Sequence, residues 1–311
     1  MVNMAKKKEI KYSYSRLETY DQCAFRYFLK YIEGNYATTS SIALEFGTAV
    51  HAVEETIGNC IKENKEIPYE ELINNFADTC AKLERKYPEA FIEKDKSDRT
   101  YAEKINYYLN EGIYRLEKFM KANPDLEIVG TEIPFNFKYK GQQLFRGFID
   151  RVLRNKITGQ YIVQDIKTYA VPVEQEKLVT PLQFVVYCIG MKEAFGCAPE
   201  SISCSYDLPL VDMVQQAGTK GFIARGIAKL DKIFGKIAAQ DWTPKASPLC
   251  YWCEYSKNNK AAGEDTKYLC PYFMHWTREN KSFKKENEWQ GIENNKSITE
   301  AYHKAYGIKE E

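Results

Sequence analysis

Gly147-Phe148-Ile149-Asp150-Arg151 and, one short loop later, Gln164-Asp165-Ile166-Lys167-Thr168 are the stretches from which this chain is best read. In each, a single carboxylate is set into apolar, β-branched surroundings, the pattern of a strand bearing one polar group. Strand alternation puts Asp165 and Lys167 on the same face. Residues 156–159 read as a hairpin loop. With Asn155 opposite Gln160, Asp150 falls opposite Asp165, and their Cβ atoms lie about 5 Å apart. Two such like charges repel unless a cation lies between them. Mg²⁺ or Mn²⁺ prefers these hard oxygen ligands and keeps positions for water and a phosphate, polarising both. Lys167, on the cation-facing side, is placed to orient or help deprotonate an attacking water and to stabilise charge building on phosphorus.

Outward from this pair, residues 131–139, 143–154 and 161–167 read as three successive strands, broken at Lys140-Gly141 and at 155–159. A helix is predicted over 180–195, opened by Thr180-Pro181, then a strand at 202–210 and a helix at 218–240. On the N-terminal side, residues 13–32 are helical in pattern, with Ser15-Arg16-Leu17-Glu18 as a capping box. Val50, Val53 and Ile57 mark one apolar face of a helix running from Phe46 into residue 62. The charged helical patterns of 69–122, broken around Pro88 and Pro124, read as an insertion outside the catalytic core. Helix, three-stranded meander, helix and strand make an α/β core with a mixed sheet.

The composition limits the alternatives. The chain has 311 residues, 44% of them hydrophobic, enough for a sizeable core. A net charge of +1 carries no global basic signature, so a nucleic-acid surface would have to concentrate its lysines and arginines locally. The lysine-rich start lacks the apolar run of a signal peptide, and no stretch approaches the roughly 18 apolar residues of a membrane span. The expectation is a soluble, cytoplasmic protein with no membrane partner. Its nine cysteines then read as metal ligands and buried thiols rather than disulfides. There is no GxxxxGK[ST] phosphate loop, no Rossmann glycine fingerprint and no GxSxG element.

Gly147 to Arg151 resembles the GxxDR element, and Asp165-Ile166-Lys167 the (D/E)-x-K element, of PD-(D/E)XK nucleases. The similarity is closest to the nuclease domains of RecB and AddB type and to CRISPR-adaptation nucleases with iron–sulfur clusters. It implies a restriction-endonuclease-like fold, with Asp150, Asp165 and Lys167 catalytic and Mg²⁺ or Mn²⁺ as cofactor. Gly47-Thr48-Ala49-Val50-His51 resembles the family's GxxxH element, which makes His51 a metal ligand beside Asp150, Asp165 and the Ile166 carbonyl. Glu54 and Glu55 lie one turn from His51, where helix-surface solvation is the expected role. Gln183 and Tyr187, at i and i+4, resemble a QxxxY motif and imply DNA contacts near the cut, although Thr180-Pro181-Leu182-Gln183 also fits a capping box. Glu132 resembles an acidic residue found ahead of the meander. Arg146 and Arg151 flank the acidic strand, where a solvated surface arginine is the default and phosphate contact the alternative; Arg151 is carried as a DNA-binding candidate.

Cys250-Tyr251-Trp252-Cys253 is a C-x-x-C pair, followed by Cys270-Pro271. With Cys23, the resemblance implies a [4Fe–4S] cluster on Cys23, Cys250, Cys253 and Cys270. Four thiolates suit structural Zn²⁺ equally on ligand chemistry alone. The gap from Cys253 to Cys270 is longer than the family's usual spacing, and Ala24 follows Cys23 where proline is common. Cys60, Cys80, Cys188, Cys197 and Cys204 read as buried thiols.

The expected organisation is a flexible basic N-terminus at 1–12, a nuclease domain at 13–275 and a polar C-terminal extension at 276–311. Within the domain lie a helical insertion at about 60–130 and a cysteine region at 245–275. The expected activity is phosphodiester hydrolysis by an exonuclease on single strands or DNA ends. It would serve repair, recombination or phage- and CRISPR-related DNA processing, with DNA and a helicase or recombination protein as partners. The alternatives are a non-catalytic DNA-binding or assembly subunit of the same fold, or an iron–sulfur redox sensor.

Overall fold

The computed structural model describes residues 11–37, 40–95, 97–141, 143–245, 247–256 and 269–270, and the backbone of 274–277 and 282–285. Residues 1–10, Pro271 and most of the C-terminal extension lie outside the described residues. Strand β1 (Lys11–Tyr12) is followed by helices α1 (Tyr14–Gln22) and α2 (Ala24–Tyr27), a π-helical turn at Phe28–Ile32, and the long α3 (Ile42–Lys62). Helices α4 (Tyr69–Lys86), α5 (Pro88–Ile92), α6 (Tyr101–Asn110) and α7 (Arg115–Ala122) lead into β2 (Leu126–Tyr139), β3 (Gln143–Asn155) and β4 (Tyr161–Ile166). Then come α8 (Gln175–Val179), α9 (Leu182–Phe195), β5 (Ser203–Leu208), β6 (Met213–Ala217) and α10 (Phe222–Ala238). Strands β7 (Met274–Thr277) and β8 (Ser282–Lys285) pair as a separate hairpin.

The chain divides into two compact units, Met1–Tyr14 with Ile42–Ala228, and Ser15–Ser41 with Lys229–Glu311. The first is built on a mixed six-stranded sheet in which β3 is the hub. Antiparallel β2 runs along one edge of β3, and antiparallel β4 and parallel β1 take the other. Strand β5 lies parallel to β4, and β6 returns antiparallel to β5. With helices flanking it, this is the α/β architecture expected, although β1 and β6 were not predicted.

The β3–β4 loop sets the register. Asn155 Oδ1 accepts hydrogen bonds from the amides of Ile157 (2.9 Å) and Thr158 (2.8 Å), an Asx turn that reverses the chain. Gly159 adopts φ +72°, and the Asn155 amide then donates to the Gln160 carbonyl at 2.9 Å. Arg151 consequently pairs with Gln164, which leaves Asp150 and Asp165 as the next facing residues. This is the register read from the sequence.

The interior is packed from both sides of the sequence. Phe46, Val50, Val53 and Ile57 of α3 join Phe76, Cys80, Tyr108, Ile113 and Leu116 from the charged helical stretch, with Leu153 of β3, in one apolar cluster. The helices read as an insertion therefore complete the core of the first unit. The stretch Gln175–Phe195 has a mean hydropathy of 1.2, closer to a membrane span than the sequence reading allowed, but 56% of that window is buried in the protein. Helix α9 packs on β2 and β4. Its first turn has Pro181 rather than Thr180 at the N-cap, with no side-chain cap; the Thr180 hydroxyl instead accepts from Arg225 Nε at 2.9 Å.

Phe135 of β2 nests between two glycines. A Cβ at Gly147 would lie 2.6 Å from the Phe135 ring, and one at Gly190 of α9 3.0 Å from it. Gly147→Ala is expected to overpack this nest and lower stability by about 1–3 kcal/mol in urea titrations. Phe135→Leu in the same chain should recover part of the loss, and two simply additive losses would contradict the nest.

Candidate active site

Four elements of the first unit converge on Asp150. Its Oδ2 accepts the Ile166 amide from β4 at 2.8 Å and lies 3.7 Å from His51 Nδ1 on α3. On the β2 side Glu132 brings its Oε1 to 3.9 Å from the same nitrogen. His51, Glu132 and Asp150 offer ligand atoms that all lie within 4.8 Å of one another, the one such trio among the described residues. Glu132 has φ +44°, a left-handed conformation that a non-glycine residue adopts at a cost of order 1–3 kcal/mol. That distortion sits in β2 opposite Asp150, since Thr131 pairs with Arg151 and Ile133 with Ile149.

Asp165 is almost fully buried. Its Oδ1 accepts from Gln183 Nε2 (2.6 Å) and the Tyr187 hydroxyl (3.3 Å). Its Oδ2 forms an ion pair with Lys167 Nζ at 2.6 Å. Beside it the Ile166 carbonyl is 3.0 Å from His51 Nε2. That is a hydrogen-bond distance, and it leaves Nδ1 as the ring nitrogen turned to Glu132 and Asp150. The trio of one imidazole nitrogen and two carboxylate oxygens fits a divalent cation, with the Asp165–Lys167 pair beside it.

The electrostatics point the same way. Burial and the neighbouring Asp165 charge push the Asp150 carboxyl up to about 7, against the pull of His51 and the Ile166 amide. Burial works to lower His51, but Glu132, Asp150 and Asp165 outweigh it and hold the imidazole above its ordinary range. Burial likewise opposes charge on Lys167, yet Asp165 and Asp150 raise it above the usual lysine value, so it is an ammonium at neutral pH. Without a cation the site therefore collects protons to offset its carboxylates.

Several expectations change here. Arg151 does not face phosphate: its side chain is fully buried, with Nη2 2.8 Å from Glu54 Oε2 and Nη1 2.5 Å from Asp207 Oδ2. Glu54 is buried rather than solvated, because it neutralises that guanidinium and also accepts from the Tyr108 hydroxyl at 3.1 Å. Gln183 and Tyr187 are also turned inward, their polar ends engaged with Asp165 and each other, and Gln183 Oε1 accepts from Lys167 Nζ at 3.2 Å. They hold Asp165 and Lys167 in place. Arg146 is exposed, as expected. Sequence reasoning passed over Asp207, although a carboxylate inside the apolar strand Ser203–Leu208 is the same signal that marked Asp150 and Asp165.

A family model of the PD-(D/E)XK nuclease superfamily matches residues 11–257. The chain belongs to this superfamily. Its mixed sheet flanked by helices is the superfamily's restriction-endonuclease-like fold, and PD-(D/E)XK nucleases work with divalent metals. The crystal structure of SSO0001 aligns at 21% identity over 44% of this chain and 62% of that one, with a TM-score of 0.27. The chain thus spans about three fifths of the length of that structure. No curated protein matches the sequence.

In the second unit, Cys23, Cys250, Cys253 and Cys270 line one pocket with Phe25, Arg26 and Leu29. Phe25, Leu29 and Tyr255 form the apolar cluster on which Cys23, Cys253 and Cys270 pack, and the Cys270 amide donates to the Tyr255 carbonyl at 3.1 Å. The amides of Lys245 and Ser247 point at the sulfurs of Cys23 and Cys250, both at 3.4 Å. Burial, with Glu254 adding, pushes the Cys253 thiol up to about 12. Of the remaining cysteines, Cys80, Cys188 and Cys204 are buried and Cys60 and Cys197 half-buried.

Asp150 supplies a signed test. Because its folded pKa is raised, its contribution to stability is fully present below about pH 4 and is lost as pH rises through about 7. At pH 8 without metal, Asp150→Asn should therefore stabilise the protein by about 1–3 kcal/mol in thermal melts. Mn²⁺ should raise the melting temperature of the wild type and not of the variant; an equal rise in both would place the ion elsewhere.

Proposed function

We propose that this PD-(D/E)XK protein is a divalent-metal-dependent deoxyribonuclease that hydrolyses phosphodiester bonds, working as an exonuclease on single strands or DNA ends. The observation that carries the reading is the trio His51, Glu132 and Asp150, whose ligand atoms lie within 4.8 Å of one another, with the Asp165–Lys167 pair on the adjoining strand. Asp150, Asp165, His51 and the Ile166 carbonyl would hold Mg²⁺ or Mn²⁺, with Glu132 completing the set. The cation supplies a polarised phosphate and a water of lowered pKa.

The remaining work falls to the protein. Lys167, kept charged by its carboxylate neighbours, acts as a donor to the attacking water or to the charge gathering on the phosphate oxygens, rather than as the base. Gln183 holds Lys167 and Asp165 in fixed relation, bonding the ammonium through Oε1 and the carboxylate through Nε2. Tyr187 gives Asp165 a second donor. Each of these contacts removes a rotamer choice from the reacting groups, which is how positioning lowers a barrier.

In the second unit the proposed cofactor is a [4Fe–4S] cluster on Cys23, Cys250, Cys253 and Cys270. Ligand chemistry alone admits zinc as well; the likeness to iron–sulfur nucleases is what favours the cluster. Amides directed at Cys23 and Cys250 suit anionic sulfur. The cluster's role would be structural, joining the segments 15–41 and 245–270 of its unit.

Two measurements test the assignment. With Mn²⁺ or Mg²⁺, purified protein should degrade linear single-stranded DNA and duplex ends, and closed circular duplex much more slowly. Asp165→Ala and Lys167→Ala should each reduce cleavage by at least about a hundredfold while leaving DNA binding within a few-fold; cleavage retained by both variants would remove them from catalysis. Anaerobically purified protein should absorb near 400 nm, and Cys250→Ser should abolish that band. A colourless protein containing stoichiometric zinc would replace the cluster with a metal ion.

A further inference from the structure

The helical stretch before the meander carries one side chain into the sheet beneath the active site. Arg115, at the start of α7 and buried, bonds Asp207 Oδ1 through Nη1, while Arg151 bonds the other oxygen, Oδ2. The Asp207 carboxylate is thus gripped from both sides by guanidinium groups. The backbone of the same residue reaches the active site, where its carbonyl accepts the Lys167 amide at 2.8 Å. Pairing of β4 with β5 ends at Ile166 opposite Asp207, so Lys167 is the first residue beyond the ladder and this bond holds its backbone there.

The neighbourhood of Asp207 is held against the same helical stretch at further points. Arg99 Nη1 donates to the Leu210 carbonyl at 3.2 Å, and a Cβ on Gly112 would lie 2.7 Å from the Pro209 carbonyl oxygen. Gly112 lets the turn before α7 sit directly on the backbone that follows β5. The chain 99–115 is thereby seated against 207–210, with Arg115 as its charged contact.

We propose that Arg115 is a positioning residue for Lys167, acting through Asp207. This rests on the reading of Lys167 as a group acting in phosphodiester cleavage. With Arg115 gone, Arg151 alone would hold Asp207, by one oxygen. The seat of 99–115 on 207–210 would loosen, the Asp207 carbonyl at the end of the β4–β5 pairing would be less firmly placed, and Lys167 would lose its fixed distance from Asp165 without any change in the cation's ligands.

The test uses the full chain with Arg115→Met and Arg115→Lys. Amide exchange of a peptide covering residues 165–170 is followed by mass spectrometry, beside metal-dependent cleavage of a DNA oligonucleotide and Mn²⁺ binding. Arg115→Met is expected to speed exchange at Lys167 at least tenfold while peptides from β3 exchange as in the wild type. Its kcat should fall about ten- to a hundredfold, the scale of loss from a 1 Å misplacement, with KM and Mn²⁺ affinity within about threefold. Arg115→Lys, which keeps the charge, should restore most of both effects. Wild-type exchange at 165–170, or a fall in kcat matched by an equal loss of Mn²⁺ affinity, would overturn the proposal. If Arg115→Met does not fold, Gly112→Ala supplies the perturbation by pressing on the Pro209 carbonyl; faster exchange at Lys167 is again expected, and unchanged exchange again overturns it. A wild-type protein that cut no DNA would remove the nuclease reading and leave the exchange result to judge Arg115.

Discussion

Asp150 and Asp165 face each other across β3 and β4 in surroundings that hold little water, and much of the first unit can be understood as managing that repulsion. Burial, and after it the neighbouring Asp165 charge, raises the proton affinity of Asp150. The protein does not relieve the strain by separating them. It sets His51 and Lys167 against them and adds the donors Gln183 and Tyr187. A divalent cation, of the kind PD-(D/E)XK nucleases use, would balance the pair further.

The geometry depends on a second set of charges buried behind the first. Arg151, Glu54, Asp207 and Arg115 alternate in sign and are all shielded from solvent. Buried ion pairs contribute little net stability compared with apolar packing, but breaking one by removing a single partner costs about 3–5 kcal/mol. Their arrangement here gives them a geometrical use. Arg151 adjoins Asp150, Glu54 stands one helical turn from His51, and Asp207 holds the Lys167 amide. The three elements that carry the site, α3, β3 and the end of β4, are referenced to one charge lattice.

How much of this could be read beforehand follows from which interactions are local. The Asx turn at Asn155 and the two-residue period of the strands are local, so the β3–β4 register and the facing carboxylates were legible from the sequence. The GxxxH pattern likewise led to His51. Arg151 was misread because a charged residue next to a catalytic acid looks alike whether it meets phosphate or a buried Glu54; only the tertiary partner distinguishes them. Glu54 failed for the same reason. Arg115 lay in a helical stretch whose charge suggested an insertion outside the core, and its partner Asp207 is 92 residues away. Gln183 and Tyr187 were correctly placed on one helix face, but the packing of α9 on the sheet decided that they point toward Asp165.

Anomalous diffraction from crystals grown with Mn²⁺ tests the central claim most directly, since it locates the ion without reference to activity. The account predicts a peak about 2 Å from carboxylate oxygens of both Asp150 and Asp165, with His51 adjoining and the Lys167 ammonium on the same side of the sheet. Manganese bound only at other carboxylates, with none beside Asp150 and Asp165, would contradict it.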